Sequence, residues 1–240
     1  MPRIVYIGND KWSVCLESII HLDGLEIIHS FIPNESKSLE KLCQDNNLPF
    51  TKTQNINDNH SLIASLDFDF YLVIGHPFLL NKDLLSLATG IGFHPSLLPK
   101  RRGRAPINWA IIDGIEETGV SLFHLDEGVD SGNLIFQQSV AINETDTAAS
   151  LIIKVSEVLV DNLASVLLAW PNIPSIRQDQ KSASYTEKRS PNDGEITTKM
   201  TAQEAVRLVR ALNGPYPSAF IVMENGERLY INEASENGFD

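Results

Sequence analysis

Residues 3–32 read RIVYIGNDKWSVCLESIIHLDGLEIIHSFI, and this stretch decides the fold class. It opens with an apolar run, residues 3–7, stopped by Gly8. Residues 11–22 then place Trp12, Cys15, Leu16, Ile19 and Ile20 at the spacing of one helix face. A second apolar run follows at 25–32, and a further helix is expected over about 37–45. A third run occupies 68–75, and a fourth strand, 90–94, leads straight into Pro95-Ser96-Leu97-Leu98-Pro99. Strands alternating with helices predict an α/β protein with a parallel sheet. The near-continuous apolar character of the strands fits a sheet covered on both faces.

Beyond the fourth strand the pattern predicts a short helix at 105–113, strands at 120–125 and 134–142, and a long amphipathic helix at 147–170. Thr145 and Thr147 are its start signals, and Pro171 and Pro174 break it. Residues 177–193 are polar and weakly periodic, as a linker would be. A helix at 202–212 precedes two short strands, 219–223 and 228–234, joined through Glu224-Asn225-Gly226 as a hairpin. The chain therefore divides into a main domain, 1–175, and a linker with a small helix-plus-hairpin appendage, 176–240. A tail of about 40 residues is near the limit for an independent core. It is expected to pack on the main domain or on a second subunit, the latter giving a homodimer.

With 31 acidic and 19 basic residues the net charge is −12. Such a chain repels a polyphosphate backbone, so no nucleic-acid partner is expected. A small anion is another matter, because Lys100, Arg101, Arg102 and Arg104 form a local cationic cluster. The two cysteines, Cys15 and Cys43, lie in helical segments without a ligand neighbour and read as small buried hydrophobes. No metal ligand set is apparent. No signal peptide is visible, and no apolar run reaches the roughly 18 residues of a membrane span. The expected location is the cytoplasm, with no membrane partner.

Ligands of a parallel α/β sheet bind at the carboxyl ends of its strands. Three segments should meet there: 8–11, 94–104 and 126–132. His94 stands where a strand opens into a loop, held extended by Pro95. Alone, such a histidine is as often a structural one bonded to backbone as a general acid or base. Its proximity to the cationic cluster favours the second reading. Asp130 sits between Gly128 and Gly132 in a loop with Asp126 and Glu127. Most loop aspartates are turn formers; here the residue is also placed to orient or polarise a histidine. Gly8 lacks the further glycines of a dinucleotide fingerprint, so a nicotinamide cofactor is not supported.

His94-Pro95-Ser96-Leu97-Leu98-Pro99, Arg102-Gly103-Arg104-Ala105-Pro106, Thr118-Gly119-Val120, His124 and Asp130-Ser131-Gly132, in this order, resemble the formyltransferases that use N10-formyltetrahydrofolate. The family includes methionyl-tRNA formyltransferase and bacterial sugar N-formyltransferases of surface-polysaccharide pathways. The resemblance is most specific over 90–138. It extends more weakly to Lys188-Arg189-Ser190-Pro191-Asn192-Asp193-Gly194-Glu195-Ile196, Arg210-Ala211-Leu212 and Pro215-Tyr216-Pro217-Ser218-Ala219-Phe220.

The resemblance implies a Rossmann-like formyltransferase domain in which an amine attacks the formyl carbon of the folate. His94 would be the general base or oxyanion stabiliser and Asp130 its orienting acid. The family's third residue, an Asn two places before the His, is Gly92 here; His76 and Asn108 are nearby substitutes. The pterin is expected against the backbone of Asp126, Glu127, Gly128 and Val129, with Phe78 and Leu79 on the other wall. For the acceptor, the acidic charge and short tail favour a nucleotide-linked amino sugar over tRNA. Asn9, Lys11, Arg102 and Arg104 are the candidates for its phosphates. The alternatives are a methionyl-tRNA or glycinamide-ribotide formyltransferase, or a non-catalytic folate- or nucleotide-binding protein, which Gly92 would favour.

Overall fold

The computed structural model describes residues 1–235. In chain order it contains β1 (Arg3–Gly8), α1 (Ser13–Ile19), β2 (Glu26–Ile32), α2 (Ser38–Asp45), β3 (Phe50–Lys52), α3 (His60–Ala64), β4 (Phe70–Ile74), α4 (Lys82–Leu87) and β5 (Thr89–His94). Then follow β6 (Arg102–Gly103), α5 (Pro106–Ile112), β7 (Glu117–His124), β8 (Leu134–Ala141) and α6 (Ala148–Leu168). The last elements are β9 (Tyr185–Thr186), α7 (Ala202–Ala211), β10 (Ala219–Val222) and β11 (Arg228–Ile231).

Seven strands form one sheet in the order β3-β2-β1-β4-β5-β7-β8. The expected parallel pairing holds from β3 to β5. It ends there: β7 runs antiparallel to β5, and β8 antiparallel to β7. The sheet is therefore mixed. Residues of β1 alternate between its two faces, as period two requires. Ile4 and Tyr6 join Phe70, Leu72, Ile91 and the α6 residues Leu151, Val155 and Leu159 on one side. Val5 and Ile7 join Phe31, Tyr71, Val73 and Leu84 on the other. The edge strand β8 has water on much of its surface and carries exposed Gln137, Gln138 and Ser139.

Thr147 caps α6 through a reciprocal pair with Ser150. The helix expected at 11–22 is broken instead into a 3₁₀ turn, Asp10–Trp12, and the short α1. Among the described residues no helix is long and apolar enough to cross a membrane. The tail packs on the main body: α7 lies against α5, and buried Asn108 donates from Nδ2 to the Ala211 carbonyl at 2.6 Å.

The stretch expected as a linker is strapped to the sheet. Ile176 bridges Leu134, and β9 pairs with β6. Gln178, 3% exposed, lies beneath this strap. Its Oε1 accepts from Nε and Nη2 of Arg102 at 3.2 and 2.6 Å. Its Nε2 donates to the carbonyls of Asp130 and Gly132 at 2.8 and 2.7 Å. Arg102 Nη1 donates to Gln180 Oε1 and the Tyr185 hydroxyl at 2.9 and 3.2 Å. A buried guanidinium is thus held by neutral oxygens, and hydrogen bonds to a charged group are worth about 1.5–3 kcal/mol each. Gln178→Ala is expected to lower stability by about 3 kcal/mol, seen as a lower urea midpoint at unchanged slope. A midpoint equal to the parent's would show that water replaces the amide without cost.

Candidate active site

A crevice of about 400 Å³ opens at the carboxyl ends of β1, β4 and β5. His94, the last residue of β5, lies at its floor with 4% of its surface exposed. Its Nε2 is 2.7 Å from the Arg101 carbonyl. A carbonyl only accepts, so this geometry puts a proton on Nε2. Nδ1 then faces Asp130 Oδ2 at 3.4 Å. In the neutral ring Nδ1 is a lone pair, so the His94–Asp130 gap has room for one further proton.

Asp130 is set by its backbone as well as its partners. It sits at φ +50°, a left-handed conformation that Asp tolerates better than most residues. Its Oδ2 accepts the Gly103 N–H at 2.8 Å. Position 103 has to be glycine: φ is +100°, and a Cβ there would meet the Thr186 carbonyl oxygen at 2.6 Å.

Of the residues expected from sequence, Asn9, Lys11, Phe78, Leu79, Arg104, Asp126, Gly128 and Val129 line the same crevice as His94 and Asp130. Phe78 and Leu79 are 43% and 50% exposed, an apolar wall that is open to a flat ligand. Asp126 braces its own loop, accepting from the Gly128 N–H at 3.0 Å and the Ser131 hydroxyl at 2.8 Å. Asn9 is engaged at both ends, accepting from the Lys11 N–H and donating to the Gly75 carbonyl.

Three expectations need correction. Arg102 is 1% exposed and points beneath the strap into its Gln178, Gln180 and Tyr185 partners, so its guanidinium does not reach the crevice. The physical reason is its place on β6, where the paired β9 and the chain leading into it supply the side chains that enclose it. Glu127 lies outside the crevice lining and pairs with Lys82 at 3.3 Å on the surface. Asn108 is likewise committed to α7 and does not line the crevice.

Tyr216 lines the crevice from the tail, and sequence reasoning did not assign it. Its hydroxyl accepts from Lys11 Nζ at 2.7 Å, and the ammonium also sits 4.3 Å from its ring centroid. Desolvation there pushes Lys11 down to about 8. The only local signal was the pair of prolines around Tyr216, which stiffen the segment.

The space next to Gly92 is occupied. A Cβ there would stand 2.7 Å from Leu125 Cδ2 and 2.8 Å from Phe123 Cζ. Inserting a side chain into filled space costs about 1–3 kcal/mol. Gly92→Asn is therefore expected to lose stability on that scale and to lower any activity. A variant as stable and active as the parent would show that Leu125 and Phe123 yield freely.

Residues 33–167 match the family model described as formyl transferase, and residues 188–238 match formyl transferase, C-terminal domain. The chain belongs to the formyl transferase family. A 4-N formyltransferase from Francisella tularensis has the same fold at 21% identity and TM-score 0.81, with 98% of this chain and 99% of that one covered. The methionyl-tRNA formyltransferase from Clostridium thermocellum matches at 20% identity and TM-score 0.68, covering 99% and 100% of the two chains. The N-formyltransferase from Helicobacter canadensis, solved with folinic acid and dTDP-3-aminofucose, matches at 21% identity and TM-score 0.67, covering 88% and 80%.

Proposed function

We propose that this formyltransferase moves the formyl group of N10-formyltetrahydrofolate to the primary amine of a nucleotide-linked amino sugar. The observation that carries the reading is the His94–Asp130 pair at 3.4 Å, on the floor of a crevice with an apolar wall on one side and Lys11 and Arg104 also lining it. The folate's flat ring lies against Phe78 and Leu79, with the backbone of Asp126, Gly128 and Val129 as hydrogen-bonding edge. The acceptor's phosphates meet Lys11 and Arg104. The amine nitrogen attacks the formyl carbon, and the carbonyl electrons move to oxygen. The amine proton passes to the His94–Asp130 pair, directly or through water, and then to N10 as the tetrahydrofolate amine leaves. A main domain over 1–175 and an appendage over 176–240 share the work, since Tyr216 of the tail completes the wall beside Lys11.

The Helicobacter relative's nucleotide-sugar ligand supports a sugar acceptor. The net charge of −12 weighs against tRNA. Titration with initiator tRNA and with several nucleotide-linked amino sugars at physiological salt tests the choice. Sugar binding with negligible tRNA binding is expected; tight, productive binding of charged tRNA would refute it. Gly92 favours a second reading, a folate-binding protein without turnover. Formyl transfer to any amine excludes that reading.

Lys11 makes the acceptor site pH-dependent. Its ammonium is held down to about 8, so the cation is present below that pH and lost above it. The acceptor KM should rise by up to roughly 10-fold between about pH 7 and about pH 9 as a charge-assisted bond disappears. Lys11→Arg should remove the dependence, because a guanidinium stays charged. An unchanged profile in that variant would take Lys11 out of phosphate binding.

A further inference from the structure

The position that holds an Asn in the resembling enzymes offers no side-chain donor here. Gly92 has no side chain, and Leu125 and Phe123 occupy the space beside it. An oxyanion formed in the crevice still needs a hydrogen bond. The neighbouring strand provides one. In β4, Val73 pairs with Gly92 and Ile74 with Phe93. The chain leaves β4 through Gly75 at φ +77°, and the turn brings His76 into the crevice shared by Gly92, His94 and Asp130.

His76 Nε2 is buried and has no hydrogen-bond partner. A buried polar atom left without one costs about 1–3 kcal/mol. Such a group in a ligand crevice points to a partner that arrives with the ligand. The ring of Phe78, 5.9 Å away between centroids, offers it none. Burial, with the Arg104 charge as the second cause, pushes the imidazole down to about 4. It is therefore neutral around pH 7 and keeps one N–H to donate.

We propose that His76 is a catalytic residue of formyl transfer, its Nε2–H donating to the formyl oxygen as negative charge develops there. This rests on the formyl-transfer reading above. In the step, the acceptor nitrogen bonds to the formyl carbon and the C=O electron pair moves to oxygen, where His76 holds it. The pair then returns, the C–N10 bond breaks, and N10 gains the proton lost by the amine. His76 itself neither gains nor loses a proton.

The full chain is assayed as wild type, His76→Phe and His76→Gln, with N10-formyltetrahydrofolate and a panel of amines. Gln reaches about as far as an imidazole Nε2 and keeps an N–H donor. His76→Phe is expected to lower kcat by about 10²–10³-fold, with both KM values within about threefold. His76→Gln should recover most of that loss. Wild-type kcat in His76→Phe overturns the proposal. So does an equal loss in both variants accompanied by an equal fall in Tm, which marks a structural role. If the wild type transfers formyl to no amine, the reading of the reaction fails. Nitrogen NMR on histidine-labelled protein requires no turnover: at pH 7 His76 should be neutral with its proton on Nε2. An imidazolium, or a proton on Nδ1, overturns the donor role even in an active enzyme.

Discussion

His94→Ala is expected to lower formyl transfer by about 10²–10⁴-fold, the usual worth of a positioned general acid or base. The effect should fall on kcat. The ring is fixed by two neighbours, the Arg101 carbonyl at Nε2 and Asp130 at Nδ1, and neither is a ligand-binding group in the account above. Removing it leaves the apolar folate wall and Lys11 in place, so substrate affinities should change little. The fold should survive, because the sheet's packing residues around β5 are Ile91 and Phe93 rather than His94. Circular dichroism and the urea midpoint check that point. A well-folded His94→Ala enzyme with wild-type turnover would remove His94 from the chemistry.

Asp130→Asn is the second large effect, a fall in kcat of about 10²-fold or more. The substitution is nearly isosteric, and Asn tolerates the left-handed backbone at φ +50°. Its amide oxygen can still accept the Gly103 N–H that Oδ2 accepts at 2.8 Å. What disappears is the negative charge facing Nδ1. In the proposed mechanism His94 becomes an imidazolium on taking the amine proton, and without the carboxylate that state would no longer be stabilised. Folate affinity should stay within about threefold, since the charge contributes to the proton transfer rather than to uniform binding. Loss of folate binding with normal kcat at saturation would make Asp130 a binding residue instead.

The parallel half of the sheet was legible because β1, β2, β4 and β5 are apolar runs long enough to show burial on both faces. The strand reversal at β7 was not, because pairing direction depends on where a connection leads and not on the run itself. The helices α3 and α4, five and six residues long, are too short to display a helical period. In the site, His94 was legible from the end of its strand and Asp130 from its glycine-flanked loop, whereas Phe78 and Leu79 came from the family resemblance; all four line one crevice. Arg102 misled because a run of four cations looks the same in sequence whether each faces water or the interior. Its burial depends on Gln178, which lies 76 positions along the chain. Tyr216 was hidden for the same reason, its Lys11 partner being 205 positions away. Contacts of that range carry no local periodicity.

The proposed reaction is transfer of a formyl group to an amino sugar. Mass spectrometry of a nucleotide-linked amino sugar, incubated with the protein and N10-formyltetrahydrofolate, measures it directly. A formamide on the sugar amine is expected, with one tetrahydrofolate formed per product and both formed about 10²–10⁴-fold more slowly by His94→Ala. Intact formyl donor beside every nucleotide-linked amino sugar tried, or formyl transfer confined to aminoacyl-tRNA, would contradict it.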